Sequence, residues 1–396
     1  MSKAVLLIAT LLLAAGCAAP AIEASGHVAA DGRAFFFAPK YAGQDQGTTV
    51  SLVAEPQFQA KTDDDEHTLT LRPFYRLDPS DEKRSHADVR QASYRLSLEH
   101  FEAGAGAGTF TWGVLESYRP TDVMNQTDFV EAIDGTQKLG QPFAEIGWIG
   151  ESAALRLYYL PYFRERTFQG LRGRPRFPSP IDTDNPVFGT KNKQWEPSAA
   201  ARFTLNAGDF YFGAGLYTGL SREPTFIAEL TTGQVVPRYD RMHQGSVDAQ
   251  YTIGPVVFKA ESFFRLWSSD QLRAWAGGGG GVDYTIFKIA GEADLTFAAE
   301  YLFDTRPVSA PITFFDHDAF GGVRLAFNDT ASTEIVMGGI FDVLDGTTFA
   351  RAQASRRVGE HWRVSLGGNV FLGPSGKLES SFRRDDYASA RLAYFF

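Results

Sequence analysis

The chain has 396 residues, 44% hydrophobic and 21% charged, and its 33 Phe, 15 Tyr and 6 Trp residues exclude a disordered protein, which lacks apolar surface to bury. The 38 Lys and Arg residues against 47 Asp and Glu give a net charge of −9, which argues against a nucleic-acid partner because binding phosphates needs excess cations. The single cysteine, Cys17, excludes a disulfide scaffold and a cysteine-ligated zinc site.

The N-terminus has the layout of an export signal. Residues 4–22 carry no charge and follow Lys3, so a short basic region precedes an apolar region and then small residues. Ala19 and Ala21 suit cleavage after Ala21, and we expect residues 1–21 to be a signal peptide. In the alternative, residues 14–17 form a lipobox and Cys17 becomes a lipidated N-terminus. Beyond Ala21 no run approaches the ~20 apolar residues of a membrane-spanning helix.

The remainder of the chain alternates apolar and polar residues with a period of two. The pattern is clear in residues 51–59, 68–77, 92–99, 256–266, 293–301 and 362–370. Such alternation predicts strands with one apolar and one polar face. A soluble β-sandwich alternates in the same way, so further features must decide what the apolar faces contact.

Two of these features favour a membrane barrel. Charged residues such as Arg156, Asp248 and Glu261 recur in the middle of strands, which is consistent with a polar lumen. Tight turns alternate with long polar segments, as in transmembrane barrels, where the short turns are periplasmic. The predicted long segments are 78–90, 116–140, 165–194, 221–241, 304–316 and 373–386.

The last strand carries the most specific signal. Ala390, Leu392, Tyr394 and Phe396 face one way, and an aromatic residue ends the chain. In this the sequence resembles the Gram-negative outer-membrane β-barrel superfamily, whose final strand commonly ends in Phe and is read by the barrel-assembly machinery. Residues 122–135 and 160–168 are also similar to porin-like proteobacterial proteins. The resemblance implies an outer-membrane location and assigns Leu392, Tyr394 and Phe396 to the assembly signal.

The predicted fold class is all-β, a transmembrane antiparallel barrel with a polar lumen. Seventeen alternating segments can be counted, and residues 33–41 supply one more, because single-chain bacterial barrels have an even number of strands. We therefore expect about 18 strands, with 16 as the alternative. On this interpretation residues 22–32 are a short periplasmic segment and residues 33–396 form the barrel. At ~18 strands a barrel leaves an aqueous lumen unless a loop fills it.

One long segment is rich in arginine. We expect it to fold into or over the pore and present cations to anionic solutes, because the guanidinium group binds carboxylate and phosphate bidentately. The alternatives are binding to lipopolysaccharide phosphates and simple solvation. The residues concerned are Arg164, Arg166, Arg172, Arg174 and Arg176.

A second long segment, 116–140, is acidic. It could form one wall of a constriction opposite inward arginines, where a transverse field would select solutes by charge. It could equally be a surface loop, and the inward Arg and Glu side chains could pair merely to satisfy one another. The candidates are Asp128 and Glu131, with Asp122 and Asp134 nearby, and the inward-facing Arg72, Arg95, Arg202, Arg265, Arg324 and Arg363.

Two glycine-rich stretches are interpreted structurally. Residues 104–108 are expected to form a turn between strands. Gly277–Gly281 lie within a predicted strand, where missing side chains allow a bend or give room for a loop packed against the wall. Neither stretch is a phosphate-binding loop, because the GxxxxGK[ST] pattern is absent from the chain.

The pattern of residues favours transport over catalysis. His100 with Ser97, or His317 with Asp316 and Asp318, could be imagined in an outer-membrane lipase or protease, but sequence cannot show that such groups converge. We expect no enzyme, no cofactor and no metal. The predicted function is a porin-like channel for small hydrophilic solutes, with a preference for anions. The alternative is a non-conducting barrel that serves as scaffold or partner of an envelope transport system.

The expected partners follow from that location. They are outer-membrane lipids and lipopolysaccharide, the barrel-assembly machinery, and small hydrophilic solutes. No nucleic acid is expected. The oligomeric state stays open at this point.

Overall fold

The computed structural model describes residues 22–228, 235–269, 272–313, 315–374 and 379–396. The expected signal peptide and Cys17 lie outside the described residues. Within the described ranges, no helix is both long enough and apolar enough to cross a membrane.

The described chain is almost entirely strand and loop. Three 3-10 turns occur at Glu82–Arg84, Lys193–Trp195 and Glu379–Phe382. The strands are β1 (Ile22–Phe35), β2 (Thr48–Lys61), β3 (His67–Leu77), β4 (His86–Ser97), β5 (Phe101–Gly108), β6 (Gln141–Ile149), β7 (Ala153–Leu160), β8 (Val187–Phe188), β9 (Ser198–Ala207), β10 (Phe210–Leu220), β11 (Thr225–Ala228), β12 (Val235–Tyr239), β13 (Arg241–Ile253), β14 (Val256–Trp267), β15 (Trp275–Ala290), β16 (Ala293–Asp304), β17 (His317–Ala326), β18 (Glu334–Asp342), β19 (Thr348–Val358), β20 (Trp362–Leu372) and β21 (Tyr387–Phe395).

Eighteen of these strands form one closed antiparallel sheet, which confirms the predicted barrel. Each strand pairs with its neighbour in the chain, and the sheet closes where β1 pairs with β21, for example Ala30 with Leu392. Closure leaves no free edge among the eighteen described strands, so backbone donors and acceptors of the wall pair between strands, as hydrocarbon requires. The short strands β8, β11 and β12 form a separate three-stranded sheet in the connecting loops.

The two ends of the barrel differ in their connections. The strands are joined at one end by turns such as 208–209, 254–255 and 291–292, and at the other end by segments such as 109–140 and 161–197. β1 begins, and β21 ends, at the end with short turns. By analogy with known barrels, that end is periplasmic and the long loops are extracellular.

The outer face of the wall is apolar. Phe258, Phe297 and Trp362 project outward and are 50%, 43% and 44% exposed. Their strand neighbours Lys259 and Glu261 point inward and are buried. Soluble monomers rarely expose contiguous apolar patches beyond a few hundred Å². A belt of such residues around a closed barrel instead fits contact with lipid.

The structure differs from the sequence-based expectation in the first strand. Residues 22–32, expected to be a periplasmic segment, lie in β1, and Ile22 to Ala34 pair residue by residue with Ala60 to Thr48 of β2. The segment is rich in small and polar residues such as Ser25 and Asp31, so its alternation is weak in sequence. The expected start at residue 33 was therefore about ten residues late.

A second difference concerns the glycine-rich residues 104–108. They belong to β5 and pair with β4 and β6, whereas the turn that precedes β5 lies at residues 98–100. Gly106 has a φ of +137°, and a Cβ on it would lie 2.1 Å from the Ala92 carbonyl oxygen. The glycine is needed here for close approach to the neighbouring strand, not for a turn.

Candidate functional site

The loop between β5 and β6, residues 109–140 and here called the inner loop, crosses the lumen to the opposite wall. Glu261 of β14 accepts hydrogen bonds from the backbone N–H groups of Val114 (2.5 Å) and Leu115 (2.8 Å) and from the Thr121 hydroxyl (2.7 Å). Glu261 is buried, so these bonds replace its hydration. A charged residue in mid-strand thus holds the loop inside the barrel.

A second carboxylate of the wall, two strands away from Glu261, binds the inner loop in the same way. Glu300 of β16 accepts the N–H groups of Glu116 (2.8 Å) and Ser117 (2.9 Å). Lys259 compensates its charge, with Nζ 3.3 Å from Glu300 and 2.8 Å from Asp283. The inner loop is therefore attached to the wall through two neighbouring points.

The glycine run in β15 gives room for this contact. A Cβ on Gly279 would lie 2.8 Å from Cδ1 of Leu115 in the inner loop. Leu115 is fully buried. Of the two roles considered for Gly277–Gly281, the structure shows the second, room for a loop packed against the wall.

The other end of the inner loop is held by arginines of β3 and β4. Asp128 is bonded to Arg90 (2.6 Å) and His86 (3.1 Å), and its side chain is fully buried. Burial opposes ionisation of Asp128, but the hydrogen bond with His86 and the charge of Arg90 outweigh it and hold the pKa of this carboxyl at about 2. Glu131 accepts two bonds from Arg76, at 2.6 and 2.8 Å. Both candidate acidic residues thus bind the loop to the wall and leave little free charge.

The segment 161–197, here called the arginine loop, also packs inside. Arg164 pairs with Asp88. Arg174 is fully buried and donates to Asp385 at 2.8 Å, and Arg176 donates only to backbone carbonyl groups, including that of Phe177 at 2.8 Å. The charges of Arg174 and Arg176 are thus used within the protein.

The two remaining arginines of this loop differ from these. Arg172 is 59% exposed and lies 3.5 Å from Asp45. Arg166 lines a cavity between loops and donates to the carbonyl group of Arg222 at 3.0 Å. Of the five predicted arginines, Arg172 alone is largely exposed to solvent.

An aromatic cluster joins the two loops to the wall. Its buried members come from the inner loop, the arginine loop, β20 and the last loop, and Phe129 stacks on Phe177 with ring centroids 5.7 Å apart. Burial of each such side chain contributes about 1.5–3 kcal/mol. The cluster comprises Phe129, Phe168, Phe177, Ile181, Phe371 and Phe382.

Most of the predicted inward arginines form ion pairs. This corresponds to the alternative in which inward arginines and carboxylates of the wall pair with one another. The N–O separations are 3.3 Å for Arg72–Glu55, 2.7 Å for Arg95–Glu145, 2.6 Å for Arg202–Asp248, 2.7 Å for Arg265–Glu223 and 2.5 Å for Arg324–Glu334. Arg363 has no carboxylate partner within 4.0 Å among the residues that the structure describes, and its guanidinium group lies 5.9 Å from the Phe395 ring centroid.

The space that the loops leave open lies against β15–β21 and β1–β3. It contains a cavity of about 470 Å³, here called the basic cavity, and one of about 610 Å³, here called the acidic cavity. Asp134 of the inner loop and Arg351 of β19 line both cavities and form an ion pair of 3.1 Å. Arg351 was missed from the sequence, although its inward position in β19 follows from the alternation.

Four arginines form a ladder along the wall of the basic cavity. Their heights can be compared by the register of their strands with β21. Arg391 lies on β21, Arg363 of β20 is paired with Ala393, and Arg33 of β1 is paired with Ser389. Arg351 of β19 is paired with Asn369 of β20, which is paired in turn with Tyr387. The four arginines therefore lie level with residues 393, 391, 389 and 387, the successive inward positions of β21. Adjacent inward positions are about 6.6 Å apart along a strand. The sequence does not reveal this ladder, because strand pairing brings the four residues together.

The groups considered for other roles lie at the rims or on the outer face. Leu392 and Phe396 are on the outer surface at the periplasmic end, and Tyr394 packs against Trp362 with centroids 5.1 Å apart. The His100 ring is bonded to the Ile149 carbonyl group at 3.1 Å, and the His317 ring to the Tyr301 hydroxyl at 3.0 Å. The histidines imagined as catalytic thus have other partners.

A closed barrel with an apolar outer belt and a charged, loop-filled lumen defines a transmembrane β-barrel. No protein-family model matches the sequence, and no curated protein matches it either. Among solved structures, the chain is similar to Wzi of Escherichia coli, with 12% identity and a TM-score of 0.55 over 92% of this chain and 83% of that one. It is also similar to OccK2 of Pseudomonas aeruginosa, with 9% identity and a TM-score of 0.54 over 95% and 97%. These likenesses confirm the predicted fold.

Proposed function

We propose that this barrel is a channel for small hydrophilic anions, which move along the arginine ladder of the basic cavity. The ladder is the observation that carries the proposal. Seven arginines and four carboxylates line this cavity. Arg33 and Arg363 have no carboxylate within 4.0 Å in the described part of the chain, so their charges face the cavity uncompensated.

The spacing of the ladder suits transfer of an anion between sites. A guanidinium group offers several N–H donors in a fixed fork to carboxylate or phosphate. Conduction needs binding that is strong enough for entry but distributed over several sites for release. The four arginines lie on four different strands, are offset by about 6.6 Å along the strand direction, and provide such a series.

A carbohydrate acid is the solute class to test first. Wzi is described as a carbohydrate-binding barrel, and OccK2 was solved in complex with glucuronate, a sugar carboxylate. Hydroxyl groups of such a solute could bond to polar side chains of the same cavity, such as Gln353 and Asn369.

The test is ion selectivity in planar bilayers. The double variant Arg33→Gln/Arg363→Gln should shift the reversal potential in a KCl gradient away from anion preference. In the same variant, glucuronate should carry less current, or block the chloride current less, than it does in the parent protein. Arg172→Gln is the matched control, because Arg172 lies on the loop surface beside Asp45. An unchanged reversal potential in the double variant would refute the proposal.

The second candidate is a non-conducting barrel that serves as scaffold or partner of an envelope transport system. The observation that favours it is the packing of the inner loop and the arginine loop inside the lumen. Correctly folded protein that shows no conductance and no liposome swelling with sugars would support this candidate over the channel.

We also propose that the mature chain begins at Ile22. Cleavage after Ala21 would retain the whole described length of β1, in which Ile22 is paired with Ala60 of β2. Lipidation of Cys17 would instead give a mature chain that is five residues longer. The intact mass of protein purified from outer membranes distinguishes these two N-termini.

A further inference from the structure

A small cavity of about 150 Å³ lies among the loops, and it is here called the loop cavity. Its walls come from the inner loop, the arginine loop, the segment after β10 and the segment before β17. Arg119, Arg166 and Arg222 line it, one from each of the first three of these segments. None of the three has a carboxylate within 4.0 Å among the described residues.

Arg222 is the most unusual of the three. It is 5% exposed, its Nε donates to the Val123 carbonyl group at 3.2 Å, and both terminal nitrogens are buried without a hydrogen-bond partner. The rings of Phe163 and Tyr217 lie 5.0 and 5.6 Å from the guanidinium carbon. Burial lowers the pKa of Arg222. A buried charge is costly unless it is paired, so a partner is expected at this position.

The other two arginines are also incompletely bonded. Nε of Arg119 is buried without a hydrogen-bond partner. Arg166 donates to the Gln126 side-chain oxygen at 3.4 Å and to the carbonyl group of Arg222 at 3.0 Å, which are neutral acceptors. Burial lowers the pKa of Arg166 as well.

Four acidic residues line the loop cavity, and each has a cation nearby. Glu116 lies 3.5 Å from Lys259, and Asp134 lies 3.1 Å from Arg351. Asp122 lies 3.7 Å from Lys138. Glu223 lies 2.7 Å from Arg265 and 3.2 Å from Arg306. Burial opposes ionisation of Glu223, but the charges of Arg265, Arg306 and Arg166 outweigh it and hold the pKa of its carboxyl at about 2. The charges of Arg119 and Arg166 are partly offset by the neighbouring Asp122 and Glu223, whereas Arg222 has no carboxylate within 4.0 Å among the described residues.

We propose that the loop cavity is a binding site for an oxyanion, a carboxylate or a phosphate, held by Arg119, Arg166 and Arg222. A water molecule occupies about 30 Å³ in the liquid, so the cavity has room for roughly five waters or for one small anionic group. Two free terminal nitrogens on Arg222 match the two oxygens of a carboxylate or two oxygens of a phosphate. This site does not depend on conduction through the basic cavity.

The proposal is tested by calorimetric titration of the full-length protein in detergent micelles, with inorganic phosphate and with glucuronate at constant ionic strength. Saturable binding of at least one probe is expected, weakened about tenfold or more in Arg222→Met, since a lost charge-assisted bond costs about 1.5–3 kcal/mol. Binding of phosphate alone assigns the site to phosphate groups, and binding of glucuronate alone assigns it to carboxylates. Arg172→Met is the control and should bind as the parent protein does.

Two results would overturn this site: no saturable binding of either probe to the parent protein, or equal affinity in Arg222→Met. If Arg222→Met does not fold, thermal unfolding of the parent protein replaces it, because a ligand of the folded state raises the Tm. A Tm that phosphate and glucuronate raise no more than chloride does would equally refute the site. The Arg33→Gln/Arg363→Gln variant should retain binding here, which separates this proposal from the channel.

Discussion

Arg351 of β19 donates a hydrogen bond to Asp134 at the tip of the inner loop, with 3.1 Å between Nη1 and Oδ2. Asp134 lies in the walls of the basic, acidic and loop cavities and of a fourth cavity beside Phe315. The second terminal nitrogen of Arg351 donates to Gln353 at 2.8 Å. This ion pair therefore lies where the open spaces of the lumen adjoin.

Variants of this pair should change ion selectivity in opposite directions. Asp134→Asn leaves Arg351 uncompensated and should increase anion preference, whereas Arg351→Gln leaves a free carboxylate and should reduce it. Each change in permeability ratio should be about twofold or more, because charges in a narrow, low-dielectric passage act strongly on ions. Reversal potentials in a KCl gradient measure both effects. Shifts of the same sign would show that the pair does not border the conducting path.

Removing the anchor of the inner loop should loosen it. Glu261→Ala deletes three hydrogen bonds to a buried carboxylate. At about 1.5 kcal/mol or more for each such bond, the inward position of the loop should lose several kcal/mol. Hydrogen–deuterium exchange of residues 113–121 should accelerate.

Glu102→Ala is the control for this experiment, because Glu102 pairs with Arg156 on the wall at 2.9 Å and none of its described bonds reaches the inner loop. Exchange in residues 113–121 should not change in that variant. Equal exchange in Glu261→Ala and the parent protein would contradict the anchoring role.

The contribution of Asp128 to attachment of the inner loop should depend on pH. The pKa of Asp128 is lowered to about 2 in the folded protein, so its ionised form stabilises the fold above the unfolded pKa near 4, and this contribution is lost as pH falls toward 2. The shift corresponds to roughly 2 kcal/mol. The difference in thermal stability between the parent protein and Asp128→Asn should be full at pH 5 and vanish near pH 2. A difference that does not change with pH would contradict this assignment.

A charge on the lipid-facing wall should cost more at mid-strand than at the rim. Leu216, near the middle of β10, is 63% exposed on the outer surface. Leu216→Arg should lower the free energy of unfolding in a bilayer by about 2–4 kcal/mol, whereas Phe210→Arg, beside the periplasmic turn, should cost about 0–1 kcal/mol. Equal costs at the two positions would argue against a membrane-spanning wall.

The terminal aromatic residue should matter for assembly more than for stability. Phe396 is exposed on the outer surface, and its N–H group donates to the Gly26 carbonyl group at 3.1 Å. Phe396→Ala keeps this backbone hydrogen bond but should reduce the outer-membrane level several-fold, if the assembly machinery reads the aromatic side chain. Phe395→Ala, an inward aromatic, is the control. Refolding in detergent should be similar for all three proteins.

The barrel itself could be predicted because the alternation of apolar and polar residues that produces it is visible within each strand. Alternation of side chains along one strand shows which residues face lipid, and the C-terminal Leu392, Tyr394 and Phe396 predict the outer membrane. The positions of the strands were predicted less well where this alternation is weak. In residues 22–32 and 104–108 small and polar residues hide the alternation, so the start of β1 was placed too late and residues 104–108 of β5 were predicted to be a turn.

The candidate site could be predicted only in part, because charge alone does not say where a side chain's partner lies. The sequence shows that Arg174 and Asp128 belong to charged loops, but their partners Asp385 and Arg90 are distant in the chain. Pairing with those partners turns expected pore-lining charges into loop anchors. Conversely, Arg363 was predicted as an inward arginine but Arg33, Arg351 and Arg391 were not, and the four form a ladder only when β19, β20, β21 and β1 pair.

Local composition and periodicity therefore suffice to specify the environment of this chain, lipid outside and polar groups inside, because each strand carries both faces within itself. The path through the lumen depends on contacts between segments such as Glu261 with the inner loop, which are separated by about 140 residues. Closure of the sheet and inward folding of the loops establish those contacts, and no short stretch of sequence encodes them.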